Sequence, residues 1–370
     1  MAHADPIILE QVFEAVRDGV SMRAWEIATV VSGTLAALTV LNMVAPRFDL
    51  LDHPDLGRRK HAQPVPLTGG LAILIGVWIG SLAKMELGHS VLALLAIVAV
   101  VHAFDDQSGL SPRQRLVIDG VVAMAFVVIT GNVIESLGTA LGVDLHLGPL
   151  AVPVTIFIYL ALTNAYNMID GLDGLAVTQF LIALLGVGFW HIVHAHQSGF
   201  APHAFSVVVA CLVILATNLG LLGRFLKCFL GDSGSRLLGF FLVYVLVAEG
   251  KRILSPIEGV YFIALPLLDM CVVLVERLRA GQRPMQGDRR HLHYLLVDAG
   301  VTHGRTVLIM AAISCSFIGL YLIQHAVGLD DLAIWLTFMG FACLYWRFRR
   351  SLVRILSFAL ALRHRAGPAE

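Results

Sequence analysis

The stretch LAVPVTIFIYLALTNAYNMIDGLDGLA, Leu150–Ala176, joins an apolar run of membrane length to a cluster of amides and carboxylates. Such groups are costly near a bilayer, so Asn164, Asn167, Asp170 and Asp173 at one end of the run call for a function. Residues three apart are neighbours on a helix surface, so Asn164, Asn167 and Asp170 form one slowly rotating polar stripe. Gly171 and Gly174 then free the backbone and leave Asp173 in a turn that a ligand can approach closely. The stretch reads as a membrane helix that ends in a polar site at the membrane surface.

The whole chain supports that reading. Its 370 residues are 58% hydrophobic and 14% charged, a balance that a soluble domain cannot bury and a bundle of membrane helices requires. Net charge is zero, so nothing points to a nucleic-acid partner. Cys211, Cys228, Cys271, Cys315 and Cys343 lack CxxC spacing, which argues against a disulfide or zinc framework. The first 23 residues carry Asp5, Glu10, Glu14 and Asp18 with no basic start, unlike a cleavable signal peptide.

Apolar stretches of membrane length recur at 24–44, 68–83, 90–103, 114–131, 150–166, 175–193, 204–222, 236–249, 256–276, 306–326 and 332–346. The expected fold is an all-α polytopic membrane protein of about eleven transmembrane helices. Alternating sides along these spans puts 21 of the 26 Lys and Arg residues on one face, which the positive-inside rule assigns to the cytoplasm. The N-terminus is then outside and the C-terminus cytoplasmic. Residues 1–23 form an N-terminal extramembrane segment, 24–346 an integral membrane catalytic domain, and 347–370 a basic cytoplasmic tail. That tail, RFRRSLVRILSFALALRHR at its start, suits either an interfacial amphipathic helix or a solvated positive flank.

Every chemically suggestive cluster falls on the same cytoplasmic face. RRKHAQPVPLTGG, Arg58–Gly70, offers Lys60 and His61 to phosphates before a stiff, narrow re-entry at Pro64, Pro66 and Gly69-Gly70. Asp105 and Asp106 are adjacent carboxylates that stay ionised together only beside a cation or good donors. FLGDSGS, Phe229–Ser235, reads as a tight turn presenting Asp232 with backbone N–H groups, and Phe229 offers a flat face to a ring. GDRRHLHYLL, Gly287–Leu296, sets Arg289, Arg290, His291 and His293 at distances suited to phosphate contact or proton exchange. Each cluster alone has an ordinary explanation as a turn or a positive flank. Five of them on one face do not.

Asp105, Asp106, Asp170, Asp173 and Asp232 beside Arg, Lys and His suit a hard cation and phosphate groups, and Mg2+ takes one or two carboxylates with substrate phosphate oxygens. Phosphoryl transfer needs positioning and charge stabilisation rather than a Ser or Cys nucleophile. A site at the membrane surface implies one soluble phosphorylated substrate and one lipid-borne substrate.

RRKHAQPVPLTGG at 58–70, DDQSGLSPRQR at 105–115, NAYNMIDGLDGL at 164–175, FLGDSGS at 229–235 and HLH at 291–293 follow one another in a recognisable order. On these motifs the chain resembles the polyprenyl-phosphate N-acetylhexosamine-1-phosphate transferases, glycosyltransferase family 4, over about residues 45–300. The resemblance implies transfer of an N-acetylhexosamine 1-phosphate from a UDP-sugar to undecaprenyl phosphate, releasing UMP and requiring Mg2+, with Mn2+ as a substitute. Asp232 then looks like the principal metal ligand, with Asp105 as a second, and Phe229 like a platform for uracil. Asp170 and Asp173, with Asn164 and Asn167, would line the nucleotide–diphosphate pocket, and Asp105 or Asp106 would serve the lipid phosphate as base or positioning group. Lys60, His61, Arg289, Arg290, His291 and His293 would contact substrate. HLH resembles the N-acetylglucosamine-1-phosphate transferase branch that primes O-antigen, enterobacterial common antigen or teichoic acid chains, although Tyr294 stands where that pattern often has His. Placement in the bacterial inner membrane, within its lipids and with the active site facing the cytoplasm, follows from the same resemblance, and a homodimer is compatible with it.

Two other classes compete. A transporter or lipid flippase carries its polar residues near mid-bilayer, often on interrupted helices, whereas these cluster at one face. A CDP-alcohol phosphotransferase arranges its aspartates in a DGxxAR-type signature that is absent here.

Overall fold

A computed structural model describes residues 24–54, 63–84, 88–195, 202–249 and 254–365. The first half contains helices α1 (Ala24–Val44), α2 (Gly69–Lys84), α3 (His89–Ser108), α4 (Pro112–Thr130), α5 (Ala151–Ile169) and α6 (Leu175–Ala195). The second contains α7 (Pro202–Asn218), α8 (Gly231–Tyr244), α9 (Pro256–Gly259), α10 (Ala264–Arg279), α11 (Leu292–Asp298), α12 (His303–Ala326) and α13 (Asp331–Arg365). A π turn, Val245–Glu249, lengthens α8, and a single 3-10 turn, Val260–Ile263, joins α9 to α10.

Helix occupies each of the eleven apolar stretches of the sequence. Six helical segments among the described residues are long and apolar enough to cross a bilayer: Ala24–Phe48, His89–Ser108, Gly148–Ile169, Leu175–Val193, Pro256–Arg279 and His303–Ala326. Gly69–Leu82 and Ala204–Asn218 are apolar but shorter. Val117, Val121 and Val128 on α4, and Leu308 and Ile323 on α12, are exposed, as expected of a surface that meets lipid rather than water.

Helix α8 is the axis of the bundle, packed against α2, α3, α5 and α6. Every residue of it except Asp232 is buried. Small residues allow this. A Cβ on Gly70 of α2 would collide with the backbone of Gly234, and one on Gly239 would lie 2.7 Å from the Cα of Thr163 on α5. The Gly69 and Gly70 amides donate to the carbonyls of Phe229 and Leu230 at 3.0 and 3.1 Å, and Phe229 N donates to Pro66 O at 2.8 Å. The Pro-Gly re-entry thus holds the Phe229 segment against the start of α2.

Two short antiparallel ribbons add to the all-helical expectation. One pairs β1 (Leu51–Asp52) with β2 (Val65–Pro66), and the other pairs β3 (Ser136–Ala140) with β4 (Val143–His146). The second turns on Leu141 and Gly142, both at positive φ (53° and 75°), the geometry of a type I′ hairpin. Leucine is a poor signal for that turn, so the sequence hides it. Helix α13 runs unbroken through position 346, and its Arg349 is buried in ion pairs with Asp269 and Glu276. The start of the basic tail is therefore part of the packed bundle rather than a solvated flank.

Candidate active site

The stretch 229–235 is a helix start, not the tight turn its glycines suggest. Gly231 sits at φ +74° and leads directly into α8. The first free amides of α8 find their acceptor in another helix: Asp232 N and Ser233 N donate to the Asp106 carboxylate at 2.8 and 3.1 Å. An anion at a helix N-terminus satisfies unpaired amides and meets the positive end of the helix dipole. Asp106, at the C-terminal end of α3, thereby fixes the place from which Asp232 projects.

Asp232 is held on both oxygens. Asn167 Nδ2 donates to Oδ1 at 2.8 Å and to Ser235 Oγ at 3.1 Å, and Arg115 Nη1 lies 3.2 Å from Oδ2. The same guanidinium pairs through Nε with Asp105 Oδ2 at 2.7 Å, while Asp105 Oδ1 accepts from Leu110 N at 2.7 Å. Arg115 is thus a bridge between the first aspartate of the DD pair and the FLGD aspartate. Asp105 is buried, with both oxygens engaged, and is placed to orient Arg115.

On the opposite wall Lys227 Nζ lies 2.8 Å from Asp173 Oδ2 and 5.7 Å from the Phe229 ring centroid. Asn218, at the end of α7, ties this wall together by accepting from Gly174 N and donating to Cys228 O at 2.9 Å. Burial, and then the charges of Asp232, Asp106 and Asp173, hold the Asp170 carboxyl well above the usual carboxylate range.

The loop before α11 closes the site. The Arg289 guanidinium stacks over the Tyr294 ring at 4.5 Å and pairs with Asp298 at 2.6 Å. His291 turns away from the cavity, its Nδ1 2.8 Å from Asp269 Oδ2. His293 is fully buried, stacked 5.7 Å from the His291 ring, and a Cβ on Gly171 would collide with its Nε2. Burial lowers His293 to about 3, so its imidazole is neutral. Arg290 pairs with Asp288 at 3.5 Å.

These walls enclose a cavity of about 610 Å3 at one end of the bundle. Asp105, Asp106, Asn167, Asp170, Asp173, Phe229, Asp232 and Arg289 all line it. Asn164, Arg290, His291 and His293 are not among its lining residues. Lys60 and His61 lie outside the described residues. The cavity also takes in Arg115, Asn218, Lys227 and Tyr294. Arg115 and Lys227 had counted in the sequence only as orienting charge, because Asp232, which Arg115 ties to Asp105, and Asp173, which pairs with Lys227, lie far along the chain from them.

Among the described residues, no three His, Cys, Asp or Glu side chains form a ready-made metal cage. Mg2+ rarely uses one, since it keeps water and takes one or two carboxylates with substrate phosphates. Burial is the first cause of the raised Asp170 carboxyl, and the repulsion from Asp232 and Asp106 that adds to it is what a cation among them would relieve. The donor set fits Mg2+ bound together with a phosphate-bearing substrate.

Carboxylates, fixed cations and an aromatic face around a cavity at one end of a helical membrane bundle define an integral membrane enzyme. Residues 89–249 match the sequence profile of glycosyl transferase family 4. The chain is 32% identical, over 295 residues, to the undecaprenyl-phosphate alpha-N-acetylglucosaminyl 1-phosphate transferase of Yersinia pestis, covering 77% of this chain and 80% of that one. Proteins of the same name from Salmonella typhi and Pasteurella multocida are 34% and 30% identical. Those alignments cover 75% and 87% of this chain, and 77% and 91% of theirs. The chain belongs to glycosyl transferase family 4.

Proposed function

We propose that the protein transfers N-acetylhexosamine 1-phosphate from a UDP-sugar to undecaprenyl phosphate. An oxygen of the lipid phosphate attacks the β-phosphorus of the donor. The bond to the bridging oxygen breaks, and UMP leaves as the polyprenyl-diphosphate-linked sugar forms. The observation that carries this reading is the single cavity in which a family member gathers Asp106, Asp170, Asp173, Arg115, Lys227, Phe229 and Asp232. Its volume lies within the range of small-molecule sites.

Phe229 offers the donor base a flat face, with Lys227 beside it to meet a phosphate once released from Asp173. Arg115 is placed to neutralise charge between the two substrates, and Asp106 keeps the amide-rich start of α8 aligned. Asp232 and Asp170 are the residues best placed to hold Mg2+, which when bound would screen the diphosphate and stabilise the leaving phosphate. Arg289, on its Tyr294 platform, covers the sugar-phosphate side.

The same reading places eleven helices across the bacterial inner membrane, N-terminus outside, with the cavity open to cytoplasmic nucleotide sugars. The Lys and Arg bias supports this, as does the convergence of the cavity residues on one end of the bundle. The product would begin assembly of a cell-surface polysaccharide such as O-antigen. The test is UMP release by the reconstituted protein with undecaprenyl phosphate, Mg2+ and a panel of UDP-N-acetylhexosamines. Folded protein that releases UMP with none of them refutes the proposal.

A further inference from the structure

Beneath the cavity lies a second ionic layer that the reaction scheme does not use. His102 Nε2 is 2.9 Å from Asp119 Oδ1. The other oxygen of Asp119 pairs with Arg236 Nη1, and Arg236 Nη2 reaches Asn164 Oδ1 at 3.4 Å. His102, Asp119 and Arg236 are 0%, 1% and 2% exposed, so two formal charges and an imidazole are buried inside a membrane bundle. Isolated charges there are expensive, and an apolar replacement of such a pair is often no less stable.

The layer repeats the active site one turn deeper on the same four helices. His102 lies one turn below Asp105 on α3, Asp119 below Arg115 on α4, Arg236 below Asp232 on α8, and Asn164 below Asn167 on α5. A further turn on, the layers become apolar: Phe240 packs edge-on against Phe126 and Tyr159 at 5.8 and 5.6 Å. One atom joins the two polar tiers. His102 Nδ1 makes no hydrogen bond of its own and lies 3.8 Å from Asp105 Oδ2, the oxygen that pairs with Arg115. Asp119, anchored by Arg236, fixes the imidazole from behind and keeps that atom facing Asp105.

We infer that His102, Asp119 and Arg236 form an internal positioning relay that sets Asp105, and through it the Arg115 bridge to Asp232, for the transfer step. The inference rests on the proposed transferase activity. The relay touches neither substrate, and the Phe229–Lys227 wall lies outside it. Its loss therefore lowers kcat and leaves the donor KM nearly unchanged, whereas a purely structural pair would be dispensable once replaced by apolar residues.

The experiment compares wild type, the double variant Asp119→Leu/Arg236→Met, and His102→Gln, with thermal melting and UMP-release kinetics on each. The double variant removes both charges together. It is expected to melt near wild type, with kcat lowered about 10- to 100-fold and donor KM within about two-fold. His102→Gln keeps a nitrogen for Asp119 but none for Asp105, and is expected to lower kcat similarly. Adding it to the double variant should cost little more, because the three residues act in series. A stable double variant with wild-type kcat overturns the inference. If the double variant does not fold, wild-type kcat in His102→Gln overturns it alone. Wild-type protein reconstituted and assayed in the same way separates the two readings: no UMP release there defeats the transferase reading, while active wild type with unaffected variants defeats only the relay.

Discussion

Gly231→Ala tests whether the position of Asp106 matters to the reaction. Position 231 has φ +74°, where a residue with a Cβ is strained by about 1–2 kcal/mol. The new methyl would lie 2.7 Å from Asp106 Oδ2, a contact that relaxes only if the carboxylate retreats by roughly 0.7 Å. Asp106 is held by Asp232 N and Ser233 N, so retreat weakens or breaks a hydrogen bond to a buried amide, at about 1–3 kcal/mol. The expected loss of stability is about 2–5 kcal/mol in all. Sub-ångström displacement at a reacting centre predicts a kcat loss approaching about 100-fold. Thermal melting and UMP-release kinetics read the two effects. In an Asp106→Ala background the clash is gone, so Gly231→Ala should slow turnover little further. A variant that melts lower but keeps wild-type kcat, or one whose loss is fully additive with Asp106→Ala, refutes the reasoning.

Asp232→Asn removes a charge between Arg115 and Asn167 and should abolish turnover while the protein still expresses and folds; unchanged turnover removes its metal role. Lys227→Met takes away the cation beside Phe229 and should raise donor KM at least about 10-fold with a smaller change in kcat, so an unchanged KM counts against donor contact. The Asp170 carboxyl is raised by burial and by its acidic neighbours, so it keeps its proton over a wider pH range than usual. Mg2+ requires the carboxylate and must displace that proton, so affinity strengthens as pH rises and weakens as it falls. Calorimetry between about pH 6 and about pH 9 checks the sign, and a flat profile removes Asp170 from the cation site.

Much of the site was legible because it stands where a sequence can be read locally. Asp170 and Asp173 are flanked by Gly171 and Gly174, and Asp232 follows Phe229 within one short motif. Each signals itself by polarity beside an apolar run. Asp119, Arg236 and Asp269 do the opposite. Asp119 and Asp269 are lone charges inside apolar sequence and Arg236 trails the FLGDSGS motif, and each has a remote partner: Asp119 and Arg236 are 117 positions apart, and Asp269 and Arg349 are 80. A charge isolated in a membrane helix was the available signal, but only packing shows what it pairs with. The histidines of HLH are likewise set by packing that their spacing does not show. Their spacing suited phosphate contact, yet Asp269 draws His291 inward and Gly171 lets the backbone settle on His293.

The most direct measurement follows the β-phosphorus. Protein reconstituted with undecaprenyl phosphate and Mg2+ is given a UDP-N-acetylhexosamine labelled at that atom, and lipid and aqueous products are separated. Sugar-1-phosphate transfer predicts that the label moves to the lipid in step with UMP release. Label that stays in the aqueous phase as UDP, with unphosphorylated sugar on the lipid, contradicts it.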